Sequence, residues 1–438
     1  MGTLYVDTGG AATNSGSNDG AVLLSGAAAT VAGSTVTLDG SPNLSGLITS
    51  GATQSAIYLN DASNANKKIF WITAFDDGAN TVDVDTAPTG VVSSAWTIGG
   101  RQTVVDTALS VCRAGDTCIV NNSPAPVAGT TGTFRLAGDS TSGYVKLVGK
   151  TGVRPVLNTT TAAPCVSSGV SYSWIENLEI DQDAATSTGI TSTGIGVVIK
   201  NVKVSDAGSG GAISCTSGAI KIVGCEVSGG ASTGIQITGN ASEFALIGNY
   251  IHDNTTDGLL ISGTNPSGVV TNNIIDSNSG RGIAITGSIA AGSSNQFTII
   301  GNTVYGNGDS GLEVTDADAT TIVMNNIFSQ NGNAAGEYNV EWLAGTAELI
   351  GYHDYNIFYH SGGGGGANLF NLTATSTELT SDPLLTNPAS GDFTIPSTSP
   401  AKAAGFPGAF LGGSTGYRDL GAVERQEPAG NTARVIGG

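Results

Sequence analysis

One phrase recurs through the middle of the chain, as IVGCEVSGGASTGIQITG, LIGNYIHDNTTDGLLISG, VTNNIIDSNSGRGIAITG and IIGNTVYGNGDSGLEVTD. An apolar position within it falls at Ile180, Val204, Val227, Ile251, Ile275, Val304 and Phe328, in steps of 24, 23, 24, 24, 29 and 24. A glycine keeps the same step at Gly211, Gly234, Gly258, Gly282 and Gly311, including the five-residue insertion around 287–294. Two markers in one register mean a solenoid, in which each repeat buries its apolar face only by stacking on the next. About 24 residues is too short for a strand, helix and strand unit. It suits one coil of three short strands, each paired with its equivalent about 4.8 Å away. Residues 244–247, 250–252 and 259–261 are such strands, with turns of Asn or Gly between them.

Alternation assigns the faces. Ile235, Leu259, Ile283 and Leu312 point inward, as do Ile237, Ile261, Ile285 and Val314, while Gln236, Leu260, Ala284 and Glu313 point out. Asn249, Asn273, Asn302 and Asn326 recur at one sharp turn, where asparagine tolerates left-handed dihedrals and its amide can bond to the next asparagine in the stack. Cys225 takes that place in the preceding coil.

Composition agrees. The chain has 65 glycines in 438 residues and only 12% charged residues, a bias toward strands and tight turns. Its net charge of −19, with no basic cluster and no long apolar run, excludes nucleic acid and a membrane as partners. Five scattered cysteines, Cys112, Cys118, Cys165, Cys215 and Cys225, read as free buried thiols. The start, MGTLYVDTGG, lacks the pattern of a secretory signal.

With these repeats on the page, residues 103–425 resemble the right-handed parallel β-helix proteins, in a pattern similar to pectate-lyase-like folds and phage tailspikes. The opening pieces are LYVDTGGAATNSGS and ALSVCRAGDTCIV. At the other end SDPLL (381–385), GDFTI (391–395), SPA (399–401) and DLGAVE (419–424) are similar to the closing segment of many bacterial and phage β-helix proteins. The fold class expected is therefore all-β, a parallel β-helix of about 24 residues per coil.

Between Gly26 and Gly99 the 24-residue step is absent, and STVTLDG, SAIYLND, KKIFWITAFDD, TVDVDTA and AWTIGG read as strands of a small β-barrel or β-sandwich. The division expected is an opening strand and loop at 1–25, this module at 26–100, the β-helix at 101–360, a closing segment and cap at 361–425, and a flexible tail at 426–438. The GGGGG run from Gly362 reads as a flexible loop.

Chemistry is sparse, and motifs for a nucleophilic serine or for zinc are absent. The outward stripe after the asparagine turn is Asp181, Ser205, Ser228, His252, Asp276, Tyr305 and Ser329. His252 and Asp276 are the one suggestive neighbouring pair, with a solvated contact as the bland alternative. Asp257 and Arg281, 24 apart, read as a surface ion pair. Asp309, Glu313, Asp316 and Asp318 would suit calcium if they hold a metal at all; a solubilising charged loop is the other reading, and no cofactor is otherwise called for. Glycan stacking candidates are Tyr250, His252, Asp276 and Tyr305, with Tyr355 and Tyr359 in an aromatic group that also suits an end cap.

In the strand before the asparagine turn, Leu246, Val270, Ile299 and Val323 alternate with Ile247, Thr271, Ile300 and Met324, so both faces are largely apolar. One face must lie outside and needs a cover, which predicts self-association, as a parallel trimer. The function expected is a virion-associated spike, fibre or tailspike. It would attach to other virion proteins through its N-terminal module and touch host surface polysaccharide along its shaft. The alternatives are a secreted polysaccharide lyase or glycoside hydrolase, or a bacterial surface adhesin. The location is correspondingly the virion, or else the extracellular space or cell surface.

Overall fold

The computed structural model describes residues 3–6, 22–50, 54–59, 69–88, 94–99, 105–110, 112–121, 127–128, 132–158, 163–182, 187–205, 207–208, 210–240, 242–263, 266–286, 295–315, 319–332, 334, 336–343, 351–362, 367–406 and 418–423. The loop at 363–366, the insertion at 287–294 and the tail at 426–438 lie outside these residues. The chain forms two compact units, Met1–Phe244 and Ala245–Gly438, taken in turn.

In the first unit, three parallel sheets wind in register. Thr3–Val6 pairs with Thr117–Val120, which pairs with Val145–Gly149, and Ser173–Glu176, Val197–Lys200 and Ile220–Val223 continue that sheet. A closed antiparallel barrel lies in sequence between its first two strands. Val22–Ala32, Thr35–Leu38, Thr81–Val84, Ile69–Asp76, Ala56–Leu59 and Ser94–Gly99 are its strands in spatial order. Val36, Ile57, Phe70, Ile72, Val82, Trp96 and Ile98 fill it. Val22–Ala32 escapes the sequence pattern because it is Gly/Ala-rich. At Gly26 a Cβ would lie 2.2 Å from Asp39 Oδ1 and 2.3 Å from the Trp96 indole nitrogen, so only glycine lets the strand pass over that 2.6 Å hydrogen bond.

In the second unit the first sheet includes Ser267–Thr271, Asn295–Ile300, Ala319–Met324 and Gly351–Asp354. The second runs Leu259–Ile261, Ile283–Ile285, Leu312–Val314, Tyr338–Trp342 and Ala367–Phe370. The third runs Tyr250–His252, Ile274–Asp276, Thr303–Tyr305, Ile327–Ser329 and Ile357–Tyr359. The inward rows are the expected ones: Leu259, Ile283 and Leu312, and Ile261, Ile285 and Val314, are all buried.

The asparagine turn is a continuous ladder. Asn249, Asn273, Asn302, Asn326 and Asn356 are buried, and each donates its backbone N–H and Nδ2 to the Oδ1 of the next, at 2.8–3.0 Å. Glu378 receives Asn356 Nδ2 at 2.8 Å and ends the stack. A second ladder, Asn254, Asn278, Asn307 and Asn331, follows the same steps and passes to Asn339 and Asn368. Sequence reading missed it although its spacing of 24, 29 and 24 was visible. In the first unit Cys225 makes weak thiol contacts, with Sγ 3.7 Å from the Ile199 carbonyl, and burial pushes this thiol up to about 11.

The described part of the closing segment lies on the outside of the third sheet. Ile395, Ala401 and Leu420 pack on Ile327 and Ile357, with Tyr355, Tyr359, Leu379 and Leu385 at the margin. One apolar outer face is thus covered by the chain itself. In the first sheet, Leu246, Val270, Ile299 and Val323 are the buried row, which leaves Ile247, Ile300 and Met324 outward and half-buried, with Ile322 39% exposed.

Candidate functional site

Two outer faces of the second unit gather chemistry. The outward row of the second sheet places Ala284, Glu313, Glu341 and Phe370 at paired positions of successive strands. Glu313 and Glu341 are therefore directly opposed on neighbouring parallel strands, about 4.8 Å apart along the stack. Arg281, from the turn before Ile283–Ile285, donates from Nε to Asp257 Oδ1 at 2.9 Å and from Nη2 to Asp257 Oδ2 at 2.8 Å, and its Nη1 is bonded to Glu313. Asp257 Oδ1 also accepts the Arg281 backbone N–H at 3.0 Å.

The pair expected at the surface is thus a largely buried, multi-point clamp. Coulomb attraction is strengthened where water is excluded, and Asp257 and Glu313 hold the guanidinium firmly in its charged form. Glu341, 7% exposed, has a different environment. Ser310 Oγ donates to it at 2.8 Å, yet burial and the nearby Glu313 and Asp309 raise its carboxyl above the ordinary carboxylate range. Glu313 lies in this cluster and Asp309 adds its charge to the surroundings of Glu341, whereas Asp316 and Asp318 lie outside the described residues. Among the described residues no group of three or more His, Cys, Asp or Glu side chains is arranged to hold a metal ion.

The second face is the row His252, Asp276, Tyr305, Ser329 and Tyr359 of the third sheet. His252 and Asp276 are register partners, but His252 Nδ1 pairs with Asp253 Oδ2 at 2.7 Å. Tyr250 stacks on His252 at 4.0 Å between ring centroids, and its hydroxyl bonds to Asp276. Phe393, from the GDFTI turn, meets both Tyr250 and Tyr305 edge-on, at 6.2 and 5.9 Å. Asp276 is therefore not a solvated member of an outward stripe. It is 4% exposed, its Oδ1 has no hydrogen-bond partner among the described residues, and burial pushes its carboxyl up to about 6. Tyr355 and Tyr359 pack beneath the closing segment, and Tyr355 also meets Phe406 at 5.6 Å.

The raised Asp276 predicts a pH dependence with a definite sign. A carboxyl whose folded value lies above its unfolded 3.8 costs no stability in acid. It destabilises progressively as pH rises from about 4 to about 6, reaching roughly 3 kcal/mol above that. Asp276→Asn will therefore stabilise the protein by about 3 kcal/mol more at pH 8 than at pH 3.5 in urea titrations. A pH-independent difference would refute the assignment.

Residues 164–346 match the family model described as a right-handed β-helix region. The in-register parallel sheets and this match agree. The fold is a right-handed parallel β-helix. Pectate lyase Pel9A superposes on it with a TM-score of 0.57 at 14% identity, covering 73% of this chain and 90% of the lyase. The A-module of a mannuronan C-5 epimerase from Azotobacter vinelandii gives a TM-score of 0.42 at 15% identity, covering 61% and 89%. At these identities the likeness to the lyase concerns the β-helix fold alone. No curated protein sequence matches the chain.

Proposed function

We propose that this β-helix protein hydrolyses a polysaccharide on the outer face of its second sheet, with Glu341 as proton donor and Glu313 as the partner carboxylate. The observation that carries this reading is the register pairing of Glu313 with Glu341. Two carboxyl groups about 5–5.5 Å apart are the spacing of a retaining glycoside hydrolase, in which one protonates the leaving oxygen and the other attacks the sugar. Their surroundings differ in the required sense, since Glu313 faces the Arg281 guanidinium while burial keeps Glu341 toward its protonated form. A lyase is less well supported. It needs a deprotonated base that takes a proton from the sugar, and Arg281 is held charged by Asp257 and Glu313.

The test is incubation with a panel of plant, algal and bacterial surface polysaccharides. New reducing ends without ultraviolet-absorbing unsaturated uronates are expected. Unsaturated products, or no release from any of them, would overturn the proposal.

A second reading, the virion spike, is favoured by the outward aliphatic row Ile247, Ile300 and Met324 beside exposed Ile322, which a neighbouring copy would cover. It expects a trimer mass by light scattering at micromolar concentration, and a monomer mass would end it. In that reading the barrel attaches the protein to the particle.

A further inference from the structure

Between the third sheet and the closing segment lies an open cleft of about 480 Å³, lined among others by Tyr305, Gln330, Asp382, Leu384, Pro388 and Pro396. Its volume is in the range of small-ligand sites, roughly 300–1,000 Å³. It is separate from the glutamate pair, being built on the outer row of a different sheet. Its walls are fixed in advance. Phe393 holds the Tyr305 ring edge-on, and Asp382 Oδ1 accepts the Leu384 N–H at 2.8 Å. The Pro383 carbonyl accepts the buried Ser399 hydroxyl at 2.6 Å.

Leu384 is the informative residue. It sits at φ +55°, a region that non-glycine residues enter only under constraint, and yet its side chain is 43% exposed. The fold gains no burial from that strain. Strained residues held by their surroundings cluster at ligand sites, and this one presents an aliphatic side chain to the cleft.

We propose that the cleft binds a neutral sugar unit of a glycan chain. An aromatic ring and proline and leucine side chains match the C–H faces of a pyranose. The Gln330 amide, the Ser329 hydroxyl and the Asp382 carboxylate match its hydroxyl groups. Acidic sugars are disfavoured, because Asp382 and Asp276 both act on the Tyr305 hydroxyl and the chain carries −19 overall.

The experiment is saturation-transfer NMR and equilibrium dialysis with cellobiose, maltose and lactose, with digalacturonate as the charged comparator. At least one neutral disaccharide is expected to bind at millimolar concentration. Tyr305→Ala and Leu384→Gly should each weaken it by about fivefold or more. Leu384→Gly relieves the left-handed strain at an exposed position, so it reports on the cleft even if Tyr305→Ala fails to fold. The proposal is overturned if no neutral probe binds, if digalacturonate binds more tightly, or if both cleft variants bind as the unaltered protein does. Failure here leaves the hydrolase reading standing, and absence of cleavage leaves this one standing.

Discussion

Replacing Asn302 with alanine is expected to lower the unfolding free energy by about 2–6 kcal/mol, because two buried backbone groups each lose a partner at about 1–3 kcal/mol. Asn302 Oδ1 accepts the Asn273 backbone N–H at 2.9 Å, and Asn302 Nδ2 donates to the Val270 carbonyl at 2.9 Å. Its amide also links Asn273 to Asn326, with neighbours on both sides fully buried. Nothing in an alanine side chain can replace these bonds, and no water reaches the site from outside. The measurement is urea unfolding followed by circular dichroism. A loss under about 1 kcal/mol would mean that the ladder relaxes around the gap and that hydrogen bonding there is not what fixes the turns. In the first unit Cys225 occupies the equivalent turn, where its thiol makes long contacts to the Ile199 and Val223 carbonyls.

Glu341→Gln should reduce glycan hydrolysis by about 10²–10⁴-fold, the range for losing a positioned general acid. The substitution keeps the shape of the side chain, and its amide oxygen can still accept from Ser310. Substrate affinity and the unfolding curve should therefore change little, and the loss should appear in kcat. The pH profile supplies a further check. Since Glu341 must hold a proton to act, activity should fall on the alkaline side through a pKa above the ordinary 4.5, in the direction in which burial, Glu313 and Asp309 push it. A variant with unchanged turnover would remove Glu341 from the reaction and with it the hydrolase proposal.

Much of the scaffold could be read from spacing. The apolar step of 24, the inward and outward assignment of the second sheet and the first asparagine ladder all follow from patterns that repeat in one register. The glutamate pair did not follow, although Glu313 stood out as an acid. Its partner Glu341 is 28 residues on, and the turn between them departs from the regular step, so counting by 24 lands elsewhere. The second ladder fails the count in the same place, where Asn331 hands over to Asn339 only eight residues later. The barrel strand Val22–Ala32 was hidden for another reason. A Gly/Ala-rich run carries no alternation, and its glycine is selected by the Trp96 indole it crosses.

The sequence by itself determined the coil, because stacking identical short strands requires that apolar and turn residues recur at one period, and a period is a property of the chain alone. It also determined which row faces inward, since alternation along a strand has only two phases. Tertiary structure alone decided what covers the outer rows. Asp276 is an outward residue by every local rule, yet it is a buried, raised carboxyl whose neighbours Tyr250 and Tyr305 both meet Phe393, more than a hundred positions later in the chain. Burial depends on distant contacts that no local pattern encodes, and the reactivity of a carboxyl depends on burial.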